Sequence, residues 1–256
     1  MIELTNCGRR WGCKDSFRQM VPGTEWRDSL FDKIIDRAGL TDIREKVLAG
    51  ERLSSDDGKR LYHTPNLPAL GYLANIARER LHGAAAYFVR NQHINYTNIC
   101  NKGCLFCSFY ALPKDPEGYV LSPEEVADKV RSYDNIPISE IHMVGGVNPK
   151  LPFSYYLDVV RAIKEVRPDV SLKAFTMIEL EQIRRVAKKP LDETLVDLKE
   201  AGIDAIPGGG AEVFSERVHE ELFQAKSDSD KWLQAARTAH RAGLPSNATM
   251  LYGHVE

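Results

Sequence analysis

The chain has 256 residues, enough for one large domain or two small ones. Hydrophobic residues make up 43% and charged residues 27%, which excludes wholesale disorder, a collagen-like chain and a coiled coil. The chain has 34 Lys plus Arg against 36 Asp plus Glu. The formal charge of −2 therefore provides no basic field of the kind that attracts nucleic acid.

The cysteine content indicates a reducing compartment. The chain has no run of about 18 apolar residues that would span a membrane, and its charged start lacks the apolar segment of a signal peptide. An odd number of cysteines, five, without an export signal favours metal-binding or catalytic thiols over a disulfide scaffold. We therefore expect a cytoplasmic protein without membrane or nucleic-acid partners.

The first part of the chain divides into an irregular and a helical segment. Residues 1–40 contain Cys7 and Cys13 but lack clear periodicity, and we expect an extension of uncertain structure there, without a second metal site. Residues 41–83 show helical spacing of apolar side chains. Helices are expected in this segment over 42–49 and next to the capping residues Ser54, Asn66 and Gly83.

From residue 84 to residue 256, predicted strands alternate with predicted helices. Strands are expected over residues 87–89, 93–97, 140–144, 171–175, 203–206 and 247–251. Helices are expected over residues 123–133, 153–166, 179–188, 192–201, 215–222 and 228–242. This alternation is typical of βα units around a parallel sheet, and periodicity allows either a barrel or an open, doubly wound sheet. In both folds, functional residues collect at the carboxyl ends of the strands.

Three cysteines follow the predicted strand over 93–97 in the pattern CxxxCxxC. Cys100, Cys104 and Cys107 are close enough in sequence to surround one compact metal centre. A cubane iron–sulfur cluster is normally held by four cysteines, so three thiolates would leave one iron free to bind a small molecule. The alternatives are a zinc site, which would need a fourth Cys or His, a structural cysteine cluster, and a ferredoxin with a fourth ligand from the N-terminal cysteines.

The CxxxCxxC spacing, with the aromatic Phe106 before the last cysteine, resembles the cluster motif of radical S-adenosylmethionine (SAM) enzymes. The resemblance implies a partial or full βα barrel and a 4Fe–4S cluster whose open iron is chelated by the methionine part of SAM. It also implies that an electron from the reduced cluster cleaves SAM to a 5′-deoxyadenosyl radical, and that Phe106 lies beside the adenine.

Unusual residues at the other strand ends are candidates for the SAM site. Gly145 and Gly146 permit close approach of a ligand to the backbone, or form a tight turn. Glu212, after three glycines, is expected to accept hydrogen bonds from ribose hydroxyls, unless it is an acid at a helix start. Asn247 is a further candidate for SAM. His254 is a candidate for acid–base or hydrogen-bonding contact with substrate, or is structural.

Polar residues also alternate along the predicted strand over 93–97. His93, Asn95 and Thr97 share one strand face, because side chains alternate between the two faces of a sheet. We interpret His142, in the middle of the next strand, as a structural residue.

Longer segments resemble the menaquinone and deazaflavin branch of the radical SAM enzymes, and within it the aminofutalosine synthase family. The resemblance covers about residues 43–256. The segments that carry it are residues 92–98, 142–149, 173–176, 207–214 and 239–256.

This resemblance implies an enzyme that adds the 5′-deoxyadenosyl radical to the enolpyruvyl double bond of 3-(1-carboxyvinyloxy)benzoate. Aryl migration and loss of the carboxylate would give 6-amino-6-deoxyfutalosine for menaquinone biosynthesis. The implied components are a small-molecule substrate, SAM as co-substrate, a 4Fe–4S cluster on the three cysteines, and a reductant such as flavodoxin or ferredoxin. The same motifs leave open a cyclic dehypoxanthine futalosine synthase and a deazaflavin (FO) synthase subunit.

The resemblance also implies a longer chain, because such enzymes continue beyond the segment that ends here. We therefore expect an α/β fold with N-terminal helices and a radical SAM (β/α) partial barrel over residues 84–256. It is truncated after the fifth strand, residues 247–251, when residues 93–97 are counted as the first. An edge strand left exposed in this way is an aggregation hazard. An iron–sulfur electron carrier and an inactive, truncated product are the alternatives from another class.

Overall fold

In the computed structural model, residues 24–256 are described, with side chains from Leu30 onward. The described residues divide into two compact units, one that ends at Phe88 and one that spans Val89–Glu256. Cys7 and Cys13, considered above as ligands, lie outside the described residues. Among the helices of residues 24–256, none is long and apolar enough to cross a membrane.

The described part of the first unit is built from helices. α1 spans Thr24–Arg37, α2 Thr41–Ala49, α3 Ser55–His63 and α4 Leu67–His82. Their buried apolar side chains are Ile35, Leu40, Ile43, Val47, Ala69 and Leu73. Helix α1 lies in the stretch where no element was predicted. Because Ile35 is fully buried, packing stabilises a helix whose own apolar periodicity is weak.

Local caps explain where the predicted helices of this unit begin and end. The Ser54 side chain accepts a hydrogen bond from the Asp57 N–H, and the Asp57 carboxylate accepts one from the Ser54 N–H, which forms a capping box. Asn66 accepts a hydrogen bond from the Ala69 N–H at the start of α4. Gly83 follows α4 with a φ of 59°, in the left-handed region that favours glycine. These three predicted caps are confirmed.

The second unit contains a three-stranded parallel sheet in the order β1–β2–β3. β1 spans Asn91–Asn95, β2 Glu140–Val144 and β3 Ser171–Ala174. In register, His93 lies beside His142, and His142 lies beside Lys173. The predicted α/β fold with a parallel sheet is therefore confirmed.

The strand predicted over residues 87–89 is wrong. Residues 84–90 have no regular structure, and the apolar side chains of Tyr87, Phe88 and Val89 are exposed. β-forming side chains make a strand only where a neighbouring strand pairs with them and covers them. Composition alone therefore misplaced the start of the sheet, which begins at Asn91.

The strands predicted over residues 203–206 and 247–251 are also wrong. These parts of the chain contribute single parallel bridges, Lys173 to Ala205 and Ile206 to Ser246. Pro207 and Pro245 flank the bridging residues and have no N–H to donate to a ladder, so regular pairing ends at once. The bridges nevertheless continue the order of the sheet, and the chain path is that of a partial barrel.

Helices cover one face of the sheet. They are α5 Pro123–Arg131, α6 Phe153–Val166, α7 Met177–Ala187, α8 Leu191–Ala201 and α10 Ser229–Arg241, whereas α9 Glu216–Leu222 buries Val218 in a separate apolar cluster with Cys104 and Phe223. The buried strand residues that contribute to the core on this face are Ile94, Ile141, Met143, Leu172 and Ala174. A capping box at Ser122 begins α5, and Gly202 ends α8 with a φ of 127°.

The opposite face of the sheet is polar. We call the side chains of His93, Asn95, Glu140, His142 and Lys173 the polar face. Parallel sheets are usually buried under apolar layers on both sides. A polar, partly exposed face on a parallel sheet is therefore a candidate binding surface, as in the interior of a barrel.

Candidate active site at the cysteine loop

The predicted metal ligands lie together on the cysteine loop, residues 98–107, which follows β1. Cys100, Cys104 and Cys107 are free thiols; Cys104 is buried and the other two are half-buried. Burial raises the pKa of the Cys104 thiol, and the two neighbouring thiols raise it further, whereas Lys226 lowers it. The three thiols are thus close enough to interact electrostatically.

The donor set fits an iron–sulfur cluster better than a single ion. Within residues 24–256, no group of three or more His, Cys, Asp or Glu side chains is arranged around one metal ion. In a cubane cluster each thiolate binds a different iron atom, so the ligands need not converge on one point. Three soft thiol donors on one short loop therefore match the cluster predicted from the sequence.

Backbone hydrogen bonds hold the cysteine loop on two sides. The Asn101 N–H donates to the Val147 carbonyl over 3.1 Å, beyond the end of β2. The Leu105 N–H donates to the Leu222 carbonyl over 3.0 Å, at the end of α9. The loop therefore has a defined position before any ligand binds, which reduces the conformational entropy lost on binding.

Gly145 and Gly146 allow the end of β2 to lie against the start of the cysteine loop. A Cβ atom at Gly146 would lie 2.3 Å from the Ile99 carbonyl oxygen, and one at Gly145 would lie 2.7 Å from the Tyr96 ring. The Gly146 N–H also donates to the Thr97 carbonyl over 2.8 Å. The close approach requires both glycines, and their contact with SAM stays a prediction.

Phe106 and His254, far apart in sequence, are neighbours in the structure. Their ring centroids lie 5.4 Å apart, and Phe223 makes an edge contact with Phe106 at 6.0 Å. Phe106, Cys107 and Val255 pack against the small apolar cluster that contains Cys104 and Phe223. An aromatic surface with a histidine at its edge thus lies next to the thiols.

Glu212 lies beside this aromatic surface. Its side chain is 11% exposed and forms an ion pair with the Lys226 ammonium, and its φ of 51° places it in the left-handed region. Helix α9 begins at Glu216 with Ser215 as its N-cap, so Glu212 lies outside the first turn of that helix. Its role at the SAM site stays a prediction.

Asn247 joins two neighbouring strand-end segments. Its side-chain oxygen accepts a hydrogen bond from the Gly208 N–H at 3.3 Å. A Cβ atom at Gly208 would lie 1.6 Å from the Asn247 carbonyl oxygen, so this crossing requires glycine. The Thr249 hydroxyl donates to the Gly208 carbonyl over 3.1 Å. Asn247 is exposed, and its contact with SAM stays a prediction.

Sequence reasoning missed Glu179, which links the carboxyl ends of all three strands. Its carboxylate accepts hydrogen bonds from the Tyr96 hydroxyl at 2.7 Å and the Gly145 N–H at 3.1 Å. It also accepts two from Thr176, through the N–H at 2.9 Å and the hydroxyl at 2.8 Å. Burial raises the pKa of Glu179 to about 7, against the opposing effect of these donors. The Thr-x-x-Glu capping box is the sequence signal that would have identified it.

The polar face contains two paired contacts. The imidazole rings of His93 and His142 stack with centroids 5.2 Å apart, and the Lys173 ammonium lies 3.0 Å from a Glu140 carboxylate oxygen. Burial, together with the positive charges of Lys173 and His93, lowers the pKa of His142. A neutral imidazole both donates and accepts a hydrogen bond, which suits recognition of a polar ligand.

A parallel partial barrel with a three-cysteine loop after its first strand defines a class of protein. Residues 94–256 match the radical SAM superfamily, and the chain belongs to that superfamily. Its members are enzymes that generally use a 4Fe–4S cluster and SAM. The predicted radical SAM partial barrel is thereby confirmed.

Over most of its length the chain is similar to enzymes whose names refer to futalosine synthesis. It is 48% identical to aminodeoxyfutalosine synthase of Thermus thermophilus, over 85% of this chain and 58% of that protein. It is 36% identical to cyclic dehypoxanthine futalosine synthase of Halalkalibacterium halodurans, over 84% of this chain and 58% of that protein. The crystal structure of methylornithine synthase (PylB) shares the fold, with a TM-score of 0.62 and 19% identity over 82% of this chain and 59% of that chain. The chain spans somewhat more than half the length of these proteins.

Proposed function

We propose that this protein adds the 5′-deoxyadenosyl radical to 3-(1-carboxyvinyloxy)benzoate to form 6-amino-6-deoxyfutalosine for menaquinone biosynthesis. The observation that carries the proposal is the 48% identity to the Thermus thermophilus aminodeoxyfutalosine synthase over 217 residues. A new carbon–carbon bond would form at the alkene CH₂, the aryl group would move from oxygen to carbon, and the carboxylate would leave as carbon dioxide. One electron enters at SAM cleavage, and the oxidation of the departing carboxylate to carbon dioxide would return one electron to the oxidised cluster, so the sum is redox-neutral.

The thiolates of Cys100, Cys104 and Cys107 would hold the 4Fe–4S cluster. When bound, this cluster supplies the electron that cleaves SAM to methionine and the 5′-deoxyadenosyl radical. Support comes from the soft donor set on one anchored loop. The free thiols are consistent with a reducing cytoplasm, and we propose flavodoxin or ferredoxin as the electron donor.

The aromatic surface beside the thiols would bind SAM. Phe106 would stack on the adenine, and Glu212 and Asn247 would accept or donate hydrogen bonds at the ribose and methionine parts. The backbone at Gly145 and Gly146 would approach the methionine amino group. Support comes from the contacts that bring Phe106 next to His254 and to the Lys226 partner of Glu212, because one ligand can then reach these three side chains.

The polar face would bind the substrate. Lys173 and the imidazole N–H groups of His93 and His142 suit the carboxylates of the enolpyruvyl benzoate, while His254 would contact the substrate near the cysteine loop. Holding the alkene against the radical carbon replaces a bimolecular encounter with an oriented one, and exclusion of water protects the intermediate. These are the tasks of the protein side chains.

The test is anaerobic reconstitution of the chain with iron and sulfide, followed by incubation with SAM, dithionite and 3-(1-carboxyvinyloxy)benzoate. We expect bound iron and sulfide, a reduced-cluster EPR signal, methionine release and a product with the mass of 6-amino-6-deoxyfutalosine. The Cys104→Ser variant is the matched negative control. A loaded cluster that releases no methionine would instead indicate an iron–sulfur electron carrier and overturn the proposal.

A second candidate is supported by the 36% identity to cyclic dehypoxanthine futalosine synthase. That enzyme class and FO synthase share the cluster chemistry and differ in substrate. Methionine release without an adduct of adenosine and benzoate would exclude the first candidate. Assays with dehypoxanthine futalosine, or with the flavin precursor and tyrosine, would then separate the remaining two.

A further inference from the structure

A buried ion pair lies against the cysteine loop. The Lys226 ammonium pairs with the Glu212 carboxylate, and their side chains are only 12% and 11% exposed. The same ammonium lies 5.3 Å from the ring centroid of Phe106 and 5.6 Å from that of Phe223. Taking two charges out of water is costly, and an apolar pair of similar volume is often at least as stable. Stability alone therefore gives no reason for charges at this position.

The segment that carries Lys226 is fixed to the cysteine loop. The Lys102 ammonium donates to the Ala225 carbonyl over 2.9 Å. At the other end of the segment, the Leu105 N–H donates to the Leu222 carbonyl over 3.0 Å. Lys226 therefore cannot move away from the thiols without breaking contacts of the loop that carries them.

The Lys226 ammonium lies over an aromatic ring that stands beside two of the predicted ligands. Phe106, under the ammonium, lies between Cys104 and Cys107 in the sequence and packs in the same apolar cluster. Electrostatic interactions across such a dry contact are screened far less than at the protein surface.

We propose that Lys226 and Glu212 set the reduction potential of the cluster by placing opposite charges beside it, an inference that rests on the proposed function. Reduction adds one negative charge to the cluster. A nearby ammonium stabilises the reduced form and raises the potential, whereas a nearby carboxylate lowers it. The pair therefore balances two opposing effects, and removing either charge alone shifts the potential in a predictable direction.

The experiment is an EPR-monitored redox titration of the reconstituted cluster without SAM. Lys226→Met is expected to lower the midpoint potential, and Glu212→Gln to raise it. The double variant is expected to lie between the two single variants, and Lys226→Arg, which keeps the charge, close to wild type. Lys189→Met is the matched control, because Lys189 also pairs with a carboxylate, Asp197, and lies 6.0 Å from the ring of Phe153. It should leave the potential unchanged.

Iron content and far-UV circular dichroism of each variant separate the possible outcomes. If the Lys226→Met variant does not bind iron and sulfide, the midpoint potentials of Glu212→Gln and of the double variant test the inference instead. The double variant is suitable because it leaves neither charge buried without its partner. Equal potentials in wild type, Glu212→Gln and the double variant, all with full iron content, would overturn the inference and leave the proposed function intact. Failure of the wild-type chain to bind iron and sulfide would instead overturn the proposed function.

Discussion

Glu179 is expected to make folding stability depend on pH, and a Glu179→Gln variant isolates that dependence. Burial raises the pKa of this carboxyl from an ordinary value of 4.5 to about 7 in the folded protein. Between these values the folded state binds more protons than the unfolded state. The free energy of unfolding therefore falls as the pH rises from 4.5 to about 7, and levels off above. A difference of about 2.5 pH units at about 1.4 kcal/mol per unit corresponds to about 3 to 4 kcal/mol.

The assay is urea unfolding of wild type and Glu179→Gln, followed by far-UV circular dichroism at a series of pH values across this window. Glutamine does not titrate. The free energy of unfolding of wild type relative to that of the variant should therefore decline by about 3 to 4 kcal/mol with rising pH. Glu181→Gln, on the same helix but in a partly exposed pair with Arg184, should keep the wild-type dependence. Parallel stability curves for wild type and Glu179→Gln would refute the reasoning.

Three further predictions concern the cysteine loop and the polar face. The Cys104→Ser variant should lose the EPR signal of the cluster with little change in circular dichroism, because serine keeps the shape of the side chain but not the soft sulfur ligand. Unchanged iron content in this variant would contradict the prediction. Gly146→Ala should destabilise the protein by about 1–3 kcal/mol in urea unfolding, since its Cβ would lie 2.3 Å from the Ile99 carbonyl oxygen. Gly71→Ala, with no atom within 4 Å, is the control that should not destabilise. The Lys173→Met variant should raise the KM for the enolpyruvyl benzoate by about tenfold at unchanged iron content. This corresponds to a loss of about 1.4 kcal/mol of binding free energy. An unchanged KM would exclude this lysine from binding the substrate carboxylates.

Local signals in the sequence determined most helix boundaries and the cysteine loop. The caps at Ser54, Ser122 and Gly83 act through groups within a few residues, so their effect is readable without knowledge of the fold. The CxxxCxxC spacing similarly places three thiols on one loop wherever that loop lies. The parallel βα order follows from the alternation of strand and helix patterns, and it is confirmed by the three paired strands.

Only the tertiary structure decided which segments pair and which distant side chains meet. Residues 247–251 have a strand-like composition but make no regular ladder, because a strand depends on its neighbour as well as on its own residues. The meeting of Phe106 with His254, the buried pair of Glu212 and Lys226, and the links made by Glu179 all join residues remote in sequence. Their energies depend on burial and on partner geometry, which exist only after the chain has folded.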